Sequence, residues 1–216
     1  MLRLLTERTV TRRRDPFTNA LDSLRSRAEQ GVYVPGSQVV IMDEARRLSL
    51  SATPVREALV WLCGYGLIER SPMGGFLAPR LDPAGVRDRL EFRLQCVINS
   101  LTASRTSMAR DQAMGGSGVQ AGALPGLMLR AVKGTGNAAL IDAYQRVCSQ
   151  LIQLLPAEAR LFPDLDSEEA DVVRLFETAD DGLAEALTHY HHRRMEAAPL
   201  LILEAEAVRG AIRDAG

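Results

Sequence analysis

The sequence predicts a mostly α-helical protein in two unequal parts: a small helical head ending in a β-hairpin, then a longer all-α helical bundle. Three observations carry this expectation. Residues 50–79, "LSATPVREALVWLCGYGLIERSPMGGFLAP", pass from a proline-opened amphipathic stripe to short strand-like segments around a Pro/Gly turn. From Pro83 onward apolar residues recur at helical spacing. Between the first two bundle helices lies a glycine-rich linker, "GGSGVQAGALPG".

Taken in order, residues 1–15 hold Arg12, Arg13 and Arg14 in an unpatterned polar context and read as a mobile basic arm. Phe17, Ala20, Leu21, Leu24 and Ala28 then follow helical spacing up to Gly31. "VYVPGSQVVI" reads as a turn at Pro35-Gly36 leading into a short strand, and residues 42–48 as a short helix. Ser51 and Thr53 are both capping residues, and Pro54 suits a first helical turn, where its missing N–H costs nothing. Val55, Ala58, Leu59 and Leu62 form the buried stripe of this helix, which leaves Thr53, Arg56 and Val60 outside. Gly64 and Gly66 end it, and "SPMGG" joins "LIER" to "GFLAP" as a hairpin. Helix, turn, helix and hairpin make a winged helix-turn-helix over residues 16–80, whose second helix enters a DNA major groove. Asp82 and Pro83 open the helical part, residues 84–213, with helices expected over 83–108, 137–155, 167–179 and 182–213, the last interrupted near Pro199.

Composition bounds the function. The chain of 216 residues is 46% hydrophobic and 25% charged, ordinary for a globular protein, and no apolar run approaches a membrane span. The start lacks the features of a secretory signal. Cys63, Cys96 and Cys148 read as free thiols in a reducing cytoplasm. Residues 1–83 hold 12 arginines against 9 acidic residues, whereas 84–216 hold 14 basic against 18 acidic. This asymmetry fits separate tasks for the two parts.

Residues 32–79 resemble the DNA-binding half of GntR-family transcriptional regulators, with "TPVREAL", "GLIER" and the glycine turn before "FLAP" in the family's order. The helical remainder, with "RDRLEFR" and "GTGNAAL", is similar to the FadR-like branch, whose helical domain binds effectors and dimerises. The resemblance implies a dimeric regulator that reads a double-stranded operator and answers to a small-molecule effector. Ser51, Thr53 and Arg56 on the second helix, Arg46 and Arg47 on the first, and Gly74 and Gly75 in the wing are the implied DNA contacts. Ala52, Met42 and Glu44 depart from the family, which has arginine at the first two positions and leucine at the third. A different sequence preference is therefore expected.

Many relatives in that branch bind a metal through one Asp and three His. Here the first two positions fall on Leu124 and Met128, the next near Ala170, and the last on His192, so neither metal nor cofactor is expected. Arg93 matches a position where some relatives hold an effector carboxylate. It and His192 are the candidate effector residues. "HYHH", residues 189–192, sets His189 and His192 on one face, but surface histidines are the plainer reading of that cluster, which also includes His191. No catalytic set stands in a supporting context, so an enzyme is not expected. Two alternatives remain: a regulator whose bundle only dimerises, and a metal-dependent or hydrolytic enzyme carrying a DNA-binding head.

Overall fold

The computed structural model describes residues 15–108 and 124–214. The expected arm lies almost wholly outside these residues, as does most of the glycine-rich linker. Helix α1 spans Pro16–Glu29, α2 Ile41–Leu48 and α3 Ala52–Tyr65. Strands β1 (Glu69–Arg70) and β2 (Phe76–Leu77) pair antiparallel, with Glu69 opposite Leu77. The expected strand near residue 38 is reduced to one bridge, Gln38 to Leu77. Seven helices follow among the described residues: α4 Pro83–Met108, α5 Leu124–Gly134, α6 Ala138–Leu151, α7 Leu155–Leu161, α8 Leu165–Thr178, α9 Leu183–Glu196 and α10 Ala198–Asp214. A single 3-10 turn, Ile152–Leu154, separates α6 from α7.

Local chemistry explains most boundaries. Asp15 caps α1 by accepting from the Thr18 amide, and Pro16 sits in the first turn. Gly66 ends α3 at φ 74°, a left-handed conformation that glycine adopts without Cβ strain. Asp82 accepts from the Gly85 amide at 2.8 Å and so opens α4. Asn137 does the same for α6 through the Leu140 amide.

Two boundaries differ from the sequence expectation. Leu124, Pro125 and Gly126 belong to the first turn of α5 rather than to the linker, since proline there forfeits no helical bond. The helix expected over 137–155 breaks at Leu151, and Pro156 opens a new one. The interruption expected near Pro199 is present: α9 ends at Glu196 and Pro199 sits in the first turn of α10.

The apolar residues form separate cores. In the head, Ala20 and Leu24 of α1 pack against Val55, Ala58, Leu59 and Leu62 of α3, all fully buried, with Phe76 of the wing beneath them. In the helical part, one cluster centres on Leu94, Val97, Met128, Tyr144 and Leu187. Another centres on Val86, Leu90, Leu154 and Leu201. No helix among the described residues is long and apolar enough to cross a membrane.

Candidate functional site

Because α3 turns its apolar stripe into the head core, Thr53, Arg56 and Val60 are left exposed on the opposite face. Ser51 stands at the N-cap, but its hydroxyl makes no capping bond. Arg56 has no ion-pair partner among the described residues. The wing tip carries Gly74 and Gly75 at φ 93° and 82°, both exposed, where a Cβ would be strained.

The arginines of α2 differ from Arg56. Arg46 is highly exposed and meets Asp43 at 3.3 Å. Arg47 donates through Nε to Glu44 at 2.8 Å and through Nη2 to Ser23 at 3.0 Å, so its fork is occupied inside the head. Glu44 is 6% exposed, in the place where the resemblance expects leucine. Arg27 at 3.3 Å and Arg47 at 2.7 Å neutralise it from two sides, which is what makes a carboxylate tolerable there.

The C-terminal end of α3 is held by α6. Helix ends leave carbonyls without partners. Here Gln150 donates to the Tyr65 carbonyl at 2.8 Å and Arg146 to that of Gly64 at 3.2 Å. The other end of the Gln150 amide accepts from Arg89 of α4 at 2.8 Å. The Tyr65 ring stacks on Trp61, centroids 4.8 Å apart. Arg25 and Arg146 lie over the same ring at 4.9 and 5.4 Å. Trp61 and Tyr65 thus stack on each other at the junction of the two parts.

Inside the helical part, Arg93 is 7% exposed. Its Nε donates to Nε2 of His191 at 3.1 Å, while His191 Nδ1 donates to the Leu187 carbonyl at 2.7 Å. Both imidazole nitrogens are thereby assigned and the ring is neutral. Burial, reinforced by the Arg93 cation, pushes its pKa down to about 3. Arg93 Nη2 is buried without a hydrogen-bond partner, and so is the Tyr144 hydroxyl. Arg93 lines a cavity of about 410 Å³, together with Met128, Tyr144 and Cys148. Arg25 and Glu29 close the same cavity from α1 of the head.

His192, the candidate drawn from the sequence, is exposed, while the fully buried histidine beside Arg93 is His191. One residue along a helix turns a side chain by about 100°, and packing of α9 on α4 chooses His191. His189 is exposed as well. The residues do not fit the metal known in the FadR-like branch. Leu124 and Met128 are buried apolar groups, and the Nε2 lone pair of His191 is taken by Arg93. Sequence reasoning named His191 only as a member of the histidine cluster and passed over Arg25, Tyr144, Ser149 and Gln150 as site residues. Each of these four is an ordinary polar or aromatic residue in its own helix, so no local signal marks it.

The architecture defines a class: a winged helix-turn-helix protein with an all-helical second part. Solved structures share this architecture. E. coli McbR/YncC superposes with a TM-score of 0.60 at 15% identity, covering 86% of this chain and 98% of that one. Listeria monocytogenes Lar gives 0.47 at 13%, covering 88% and 95%. A GntR family member from Pseudomonas syringae gives 0.32 at 18%, covering 89% and 88%. The likeness of fold rests on the first. In sequence, 89 residues are 32% identical to an uncharacterized HTH-type transcriptional regulator of Agrobacterium vitis, in the TAR-I ttuE-ttuC' intergenic region. The match takes in 41% of this chain and about half, 51%, of that relative. No family model matches the chain.

Proposed function

We propose that the protein is a cytoplasmic, dimeric transcription regulator whose head, residues 16–80, reads a double-stranded DNA operator and whose helical domain, residues 84–213, senses a small molecule. The observation that carries this reading is Arg56: an exposed guanidinium without an ion-pair partner among the described residues, on the outer face of α3 and beside a glycine wing. Arginine in that position reads guanine through O6 and N7. Thr53 and Ser51 lie at the leading end of the same helix, suited to phosphate or base contacts, and the glycines allow close approach to the backbone. The curated relative is a transcriptional regulator, which favours a regulator over an enzyme.

Dimerisation through the helical part is supported by large exposed apolar side chains: Leu200 (54%) and Leu203 (65%) on α10 and Phe92 (42%) on α4. Light scattering at micromolar concentration is expected to give twice the chain mass; a monomer removes this part of the reading.

The DNA-reading role is tested by selecting bound sequences in vitro and then titrating Arg56→Ala at two salt concentrations. A loss of about 1–3 kcal/mol on the selected site, and much less on random DNA, is expected. Equal losses on both DNAs remove the base-reading role of Arg56. Absence of wild-type DNA binding at low salt removes the regulator reading.

A further inference from the structure

We infer that Met73, at the tip of the wing, is an apolar wedge that enters the DNA minor groove beside the site read by α3 and opens a base step there. This role rests on the regulator reading above and adds to it. The operator is then chosen by the deformability of its flank as well as by contacts to base edges.

The tip is apolar where a DNA-binding surface is expected to be cationic. Residues 71–75, "SPMGG", carry no charged side chain. Arg70, the nearest cation in sequence, lies over the Phe76 ring at the base of the hairpin, 5.8 Å from its centroid. No side chain of the tip can therefore neutralise a phosphate, the usual way a protein holds to DNA. The tip presents Pro72 and Met73 instead, both exposed. Met73 is 95% exposed, whereas Leu203, the next among the large hydrophobic side chains described, is 65% exposed. Single apolar side chains are ordinary on a protein surface. The placing of this one is not.

The loop holds Met73 out as a fixed projection. The Ser71 amide donates to the Gly75 carbonyl at 3.1 Å and the Gly74 amide to the Ser71 carbonyl at 3.0 Å. The Met73 amide donates to the Ser71 hydroxyl at 3.2 Å. Gly74 and Gly75 add no side chains, so the tip stays slender behind Met73. Its base is anchored, because Phe76 is buried in the same core as Val55, Ala58, Leu59 and Leu62 of α3. Whatever seats the outer face of α3 therefore also fixes where Met73 points.

Groove width and chemistry choose the place. A helix fills the major groove, about 12 Å wide, whereas the minor groove, about 6 Å wide, admits only a slender element. Methionine and proline are among the apolar side chains that enter there and part stacked bases, and a thioether is polarisable against their faces. Parting is easiest at pyrimidine–purine steps, TA and CA/TG. The operator flank is therefore expected to carry such a step. A protein partner suits the tip less well: a side chain so exposed touches almost no neighbour and belongs to no apolar patch of the kind that docks proteins.

The test uses the full chain and the site selected in vitro, with its flanks. 2-Aminopurine replaces the flanking adenines one at a time, and its fluorescence rises when a base loses its stacking neighbour. Wild-type protein is expected to raise it at a pyrimidine–purine step. Met73→Ala is expected to abolish the rise and to weaken binding of the selected site about 10-fold. Met73→Leu should keep both, since leucine also serves as a wedge. Thermal unfolding of both variants should match wild type, because Met73 packs against so little. Changing the flexible step to AA should weaken binding by wild type but not by Met73→Ala, a coupling that loss of contact area alone does not give.

No rise in fluorescence anywhere in the flank of bound DNA overturns the wedge. So does unchanged affinity in Met73→Ala, or the same step preference in that variant as in wild type. A changed mass of Met73→Ala in light scattering would mean that the tip meets a second copy, which also overturns it. Any of these results with wild-type DNA binding intact sinks this inference alone. Absence of wild-type DNA binding at low salt sinks the regulator reading, and the wedge with it.

Discussion

Arg56 of the head and Arg93 of the helical part both lack an ion-pair partner among the described residues, and their surroundings are opposite. In the head, Arg56 faces solvent from α3, where water solvates it at little cost. In the helical part, Arg93 faces an interior cavity, where water's replacement is a neutral histidine. Other buried charges are paired: Glu44 in the head, and Arg194 with Glu158 in the helical part. In the function proposed above, the exposed charge of Arg56 is where the head would meet DNA. That the two parts share a junction through Arg25, Tyr65 and Gln150 gives a physical route between them.

The sharpest test of this contrast is stability. Arg194→Ala leaves Glu158 and Glu168 without their shared cation and is expected to cost about 3–5 kcal/mol in urea denaturation. Arg93→Gln removes an unpaired buried cation and should shift stability by no more than about 1 kcal/mol, in either direction. A large loss for both would mean that Arg93 serves the fold rather than a ligand.

His191 gives the next effect in size. Its folded pKa is lowered to about 3, below the unfolded value, so the unfolded chain takes up the proton first as pH falls. Its contribution is complete above about pH 6.5 and is lost progressively as pH falls towards 3. By pH 5 the loss should reach about 2 kcal/mol. His191→Gln is expected to flatten the dependence between pH 6.5 and 5, above the usual carboxylate range; equal slopes for the two proteins would contradict the neutral, buried assignment.

At the junction, Gly66→Ala should destabilise by about 1–2 kcal/mol, since φ is 74° and the new Cβ would meet the Gln150 amide. The same change should loosen the hold of α6 on α3, seen as faster amide exchange at Leu67, which bonds to the Leu62 carbonyl. Smallest is the pair on α2. Arg47→Ala is expected to cost about 1 kcal/mol of stability through Glu44. Arg46→Ala should cost less than about 0.5, because its partner is exposed. With its fork already occupied, Arg47 should also lose less DNA affinity than Arg46 on random sequences. The reverse order would show that Arg47 leaves Glu44 when DNA binds.

What the amino-acid sequence determined alone is local. Helical spacing placed α1, α3, α4 and α6. Pro54 and Gly66 bounded α3, and "SPMGG" closed the wing, because capping and turn chemistry act within a few residues. The stripe Val55, Ala58, Leu59 and Leu62 also fixed which face of α3 is outward, and so exposed Arg56. Tertiary structure decided the rest. His191 rather than His192 turns inward because α9 packs against α4, and periodicity on a helix with histidine at both positions does not choose between them. Arg93 was marked through resemblance alone, and its missing counter-ion became visible once its neighbours were in place. Arg25 reads as a polar position of α1 until α6, more than a hundred residues later, brings Ser149 to 2.8 Å. A local pattern says which side of a helix avoids water; the identity of the groups that meet there depends on contacts between segments far apart in the chain.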